Sequence, residues 1–119
     1  MALHINGVEL DFDFTSPEDF RRYQTATEQM AEAVKTIEDT AADLDADAAY
    51  VKTIEGVIRL FSAFLNEVFG DGTAAKLLGE KPGLTKLTEI QNAITAGAEA
   101  QSRAVAAHFS RYTPNRESR

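Results

Sequence analysis

Met1-Ala2-Leu3-His4-Ile5-Asn6-Gly7-Val8-Glu9-Leu10-Asp11-Phe12-Asp13-Phe14 opens the chain and decides its fold class. Asn6-Gly7 is the strongest short turn signal a sequence can carry, because both central residues of a type I′ turn need positive φ. A turn centred there pairs Ile5 with Val8, Leu3 with Leu10 and Met1 with Phe12. These residues share one face, which Phe14 extends, while His4, Glu9, Asp11 and Asp13 take the other. Strict alternation fixes the register, since a slip of one residue would expose the whole apolar set. His4 and Glu9 fall opposite one another as a cross-strand pair. A lone hairpin is marginal in water, so its apolar face must cover a helix or meet another subunit's strand.

Long helices are expected after the hairpin. Ser16-Pro17-Glu18-Asp19 reads as a helix start, with a capping hydroxyl, a first-turn proline and two acids at the positive end of the dipole. Phe20, Tyr23, Thr27, Met30, Val34, Ile37, Ala41 and Leu44 then recur at alternating spacings of three and four, a heptad seam predicting a helix over 17–44. Asp43-Leu44-Asp45-Ala46-Asp47 breaks it. The alternating aspartates superficially open a calcium loop. Ala48 and Ile54 stand where that loop needs its glycine and its bidentate glutamate, so the reading is an acidic turn with Asp45 or Asp47 capping the next helix.

The second helix is predicted over 48–69. Tyr50, Val51, Ile54, Val57, Ile58, Phe61, Phe64, Leu65 and Val68 form a stripe wider than a coiled-coil seam, as expected of a central core helix. Gly70-Asp71-Gly72-Thr73 ends it, with Gly70 suited to a left-handed terminus and Thr73 to capping a short helix over 74–78. The glycines beside Thr73 and Lys76 do not meet the phosphate-loop spacing. After Glu80-Lys81-Pro82-Gly83, a last helix is predicted over 84–112. Leu87, Ile90, Ile94, Ala98, Gln101, Val105, His108 and Tyr112 approximate one face of this alanine-rich segment. Residues 113–119 read as a disordered tail. The whole is one domain over 1–112, of α+β class but mostly α.

Composition narrows the function. The 119 residues carry a net charge of -7, 44% apolar side chains, two histidines and no cysteine. Disulfides, thiolate metal sites and thiol nucleophiles are excluded. An acidic balance argues against nucleic-acid binding, and no apolar run is long enough to suggest a membrane span. The charge is uneven: residues 1–79 hold 15 acidic and 6 basic side chains, residues 80–119 hold 4 and 6. An acidic front and a mildly basic back could pair head to tail between copies. Neither His4 nor His108 has a second ligand at metal-binding spacing, and the serines lack a nucleophile-elbow context. No catalytic, cofactor-binding or metal-ligating residue is assigned, and no enzymatic activity is expected.

What remains is surface for protein contacts. The apolar surplus assigns these to Ile5, Val8, Leu10, Phe12 and Phe14 of the hairpin, to Phe61, Phe64 and Phe69, and to Gly70, Gly72, Thr73, Leu77 and Leu78. Long helices with a sustained heptad also suggest association with further copies or with another helical protein.

Ile5-Asn6-Gly7, the Leu10-Asp11-Phe12-Asp13-Phe14 run, Tyr23 at the helix start and the block from Asn66 to Gly79 together resemble a family of small phage and prophage proteins of Gram-positive bacteria, similar to siphophage tail assembly chaperones. The resemblance covers most of the chain, and Val68 to Gly79 is its most specific part. It implies a non-enzymatic, self-associating protein in the bacterial host's cytoplasm. Such a protein would coat the long helical tape measure protein until tail tube subunits displace it. A structural tail or virion component, or a helical adaptor, is the alternative.

Overall fold

Asn6 and Gly7 both take positive φ, +49° and +81°, and turn the chain back on itself. In the computed structural model, which describes residues 2–110, β1 (Ala2–Ile5) and β2 (Val8–Asp11) pair antiparallel. Leu3 lies opposite Leu10, His4 opposite Glu9 and Ile5 opposite Val8, the register the alternation predicts. His4 Nε2 stands 3.5 Å from Glu9 Oε1 on the open face. The expected pairing of Met1 with Phe12 lies outside the described residues.

Helix α1 (Pro17–Ala41) starts where predicted, but the hydroxyl of Ser16 makes no capping bond. The start is held instead by Asp19, whose Oδ2 accepts from the Asp13 amide at 3.0 Å, while the Ser16 amide donates to the Asp13 carbonyl at 3.0 Å. The helix stops at Ala41, short of the expected Leu44. The cause lies in the next cap. Asp45 must be extended (φ -65°, ψ 164°) for its Oδ1 to accept from the Ala48 amide at 2.9 Å, so α2 (Ala46–Phe69) begins two residues earlier than read.

Gly70, at φ +111°, ends α2. The short helix α3 (Thr73–Leu78) includes Thr73 as its first residue rather than as its cap. Gly72 precedes it in the left-handed region and offers no side chain to the free amides. The capping acceptor comes from α2, where Asn66 Oδ1 takes the Ala74 amide at 2.9 Å, and the Thr73 hydroxyl donates to the Gly70 carbonyl at 2.7 Å. Helix α4 (Leu84–Ser110) follows the predicted start. Its expected end at Tyr112 and the tail over 113–119 lie outside the described residues.

The hairpin lays its apolar face on α4 of the same chain. Leu3, Ile5, Leu10 and Phe12 join Phe61, Phe64, Leu65, Val68, Leu77, Leu78, Leu87, Ile90 and Ile94 in one core. Hairpin and α4 approach closely at Gly97, where a Cβ would run into the Leu3 side chain. Gln101 closes the seam between hairpin and helix. Its Oε1 accepts from the Phe14 amide at 2.7 Å and its Nε2 donates to the Phe12 carbonyl at 2.8 Å.

The other end is built differently. Between residues 31 and 56 only Ala41 and Gly56 are buried, so α1 and α2 leave the body as a two-helix arm. The molecule measures 64 × 30 × 22 Å, with a radius of gyration of 18.0 Å. A compact chain of this length would have about 13.5 Å.

Candidate interaction surface

The contact residues assigned from sequence lie mostly inside the chain's own core. Ile5, Leu10, Phe12, Phe14, Phe61, Phe64, Thr73, Leu77 and Leu78 are all buried, and Val8 and Phe69 are half-buried against them. Only Gly70 and Gly72 are exposed. The physical reason is that hairpin, α2, α3 and α4 satisfy one another within one chain. The aromatic rings meet edge to face, Phe12 with Phe14 at 4.8 Å and with Phe69 at 4.9 Å.

The apolar surface left open is elsewhere, where the arm leaves the body. Tyr23, Met30, Ala31 and Val34 of α1 and Phe64 of α2 line a cleft of about 470 Å³, to which α4 contributes Gln91. A second depression of about 280 Å³ continues it along α4, between Val57, Phe61, Leu84 and Leu87, and shares Met30 and Gln91 with the first. Gln91 Nε2 donates to the Tyr23 hydroxyl at 3.4 Å, tying the root of the arm to α4. Lys35 and Glu38 stand at the rim and Thr27 and Thr88 are the remaining polar groups.

The heptad explains this placement. Along α1 the inward line runs through Tyr23, Ala26 and Met30, with Ala26 buried and Thr27 exposed, so Thr27 belongs to the cleft rather than to the seam. Its hydroxyl turns back on the Tyr23 carbonyl at 2.8 Å. Val34 and Ile37 follow on the arm, half-buried because only one helix faces them. Sequence reasoning found Tyr23, Met30 and Val34 as a stripe but gave no signal for Leu84, Leu87 and Gln91 as its opposite wall.

The cleft offers shape and apolar area rather than reactive groups. Among the described residues, no three histidine, aspartate or glutamate side chains gather as they would around a metal ion. The Asp13 carboxyl is held below its ordinary range by the Thr15 hydroxyl and then the Thr15 amide, and it belongs to the turn before α1. No described helix is long and apolar enough to cross a membrane.

A family model described as a family of unknown function, DUF6673, matches residues 6–119. The chain belongs to this family. The match takes in every residue that lines the cleft of this DUF6673 member. Neither a curated protein nor a solved structure matches the chain.

Proposed function

We propose that this DUF6673 protein is a non-enzymatic, self-associating tail assembly chaperone that sheathes an apolar helical stretch of the tape measure protein. The cleft between the arm and α4 carries the reading. It is open, elongated by its continuation along α4, and floored by Tyr23, Met30, Val34 and Phe64. An amphipathic helix recognised in a groove needs such a surface, with anchors spaced along one face. Met30 at the junction supplies an adaptable side chain suited to repeated, non-identical segments. The rim carries one cation and one anion, Lys35 and Glu38, beside neutral polar groups, which leaves the grip moderate, and many moderate contacts along one long partner give avidity while each stays displaceable. The phage setting and the cytoplasmic site of action come from the sequence resemblance of the hairpin and of the Val68–Gly79 block.

The test is co-expression with the tape measure protein. The expected result is a soluble complex that Val34→Glu combined with Leu84→Glu abolishes, because charge is placed on both walls of the cleft. Neither binding nor added solubility with the wild-type chain would overturn the reading. Stoichiometric copies in purified particles, found by mass spectrometry, would instead identify a structural component of the tail.

A further inference from the structure

The cleft is one end of a longer apolar line. Val57 and Phe61 of α2 line the depression beside it. Tyr50, Ile54, Val57 and Phe61 follow one another at spacings of four, three and four, so all share one face of the helix. That face leads out along the arm to its tip. There Tyr50 is 67% exposed, and Leu44, in the turn between α1 and α2, is 42% exposed. The stretch from Glu38 to Val51 around them holds five acidic side chains and no basic one. The depression has the opposite sign on its α4 side. Leu84, Leu87 and Thr88 form that wall, and between Glu80 and Glu89 the only charged side chains are Lys81 and Lys86. Neither lysine is in an ion pair among the described residues. Ile37 stands midway along α1, seven residues from Met30 in the cleft and seven from Leu44 at the tip.

We propose that two copies of this chain form a closed dimer with their arms antiparallel, the acidic apolar tip of each seated in the cleft of the other. A two-fold axis beside Ile37 brings Leu44 and Tyr50 of one copy over Met30 and Leu84 of the second, a shift of about 20 Å along the arm. The same rotation makes the reciprocal contact, so both clefts are filled and growth stops at two. Charge selects this arrangement. Parallel arms, or tips meeting end to end, would set two groups of five acids against each other. Antiparallel arms put each group beside Lys81 and Lys86 of the other copy. Val34 and Ile37, half-buried against a single helix, gain two more and complete a four-helix bundle. The inference gives a geometry to the self-association part of the proposed function and does not depend on the tape measure. Until another helix enters, the second copy covers the cleft.

Sedimentation and cross-linking of the full chain test it. The wild-type chain is expected to reach twice the 13.0 kDa chain mass and to stop there as concentration rises. The sequence has no cysteine, so an introduced pair reports one contact alone. Tyr50→Cys with Leu84→Cys, both at exposed positions, should oxidise to a covalent dimer. Tyr50→Cys by itself should form no disulfide, because antiparallel arms hold the two tips apart. Charge exchange gives a second readout at two further exposed positions. Asp43→Lys and Lys81→Glu should each weaken the dimer about ten-fold, since the two-fold axis repeats every change. Both in one chain should restore it, because each reversed charge then faces the other across the interface. A wild-type chain monomeric at all concentrations, covalent polymers in place of dimers, a disulfide from Tyr50→Cys alone, or a double charge variant weaker than either single one overturns the arrangement. These measurements contain no tape measure, so a chain that fails them and still solubilises that protein overturns the dimer alone.

Discussion

Gln101 is a polar side chain on a helix face that otherwise buries leucine and isoleucine. It is 5% exposed, and its amide serves a donor and an acceptor of the hairpin's exit, the Phe14 amide and the Phe12 carbonyl. Gln101→Met would retain the volume and remove both bonds, leaving two backbone groups buried without partners. The expected loss is about 2–4 kcal/mol, read as a lower urea midpoint. Asp13 makes the second residue-scale prediction. Thr15 holds its carboxyl below the ordinary 3.8, so its contribution is present above that value and disappears as pH falls through the lower folded value. Asp13→Asn should lower stability slightly near pH 7, where that contribution is present, and flatten its decline below about pH 4. In the sequence, Gln101 was visible as a polar member of an apolar face. Its role was not, because its partners are 87 and 89 residues away.

At the level of elements, the arm depends on a close helix crossing. A Cβ at Gly56 would lie 2.6, 3.2 and 3.3 Å from three side-chain atoms of Ile37. Helix propensity alone would favour any ordinary residue over Gly56 by about 0.5–1 kcal/mol. Overpacking against the stiff, β-branched Ile37 costs about 1–3 kcal/mol and wins. Gly56→Leu should therefore lower the melting temperature and reduce hydrogen-exchange protection in the arm before the body. Higher protection there would mean that the two helices part freely. The elements themselves were legible because their signals are local: Asn6-Gly7 for the hairpin, Pro17 for the start of α1, and Asp45 and Gly70 for the two ends of α2. Which apolar face is core was not legible. Phe61 and Phe64 look the same in sequence as Tyr50 and Val51, yet the first pair is buried in the core that α4 and the hairpin share, while Tyr50 and Val51 are 67% and 54% exposed. Periodicity reports that a face is apolar and is silent on whether a third element arrives to bury it.

For the whole molecule, shape is the measurable quantity. If the arm stands away from the body in solution, small-angle scattering at low concentration should give a radius of gyration near 18.0 Å rather than the roughly 13.5 Å of a compact chain. A value near the compact figure would show the arm folded back, closing the cleft. The hairpin's docking on α4 also has a consequence for biosynthesis. The apolar strands are made before their cover, which runs from Leu87 to Gln101. At about 5–20 residues per second the ribosome takes several seconds to bring the two together. Throughout that interval the nascent hairpin is a sticky flap without its lid, so a message truncated before α4 should yield aggregates rather than a smaller folded protein.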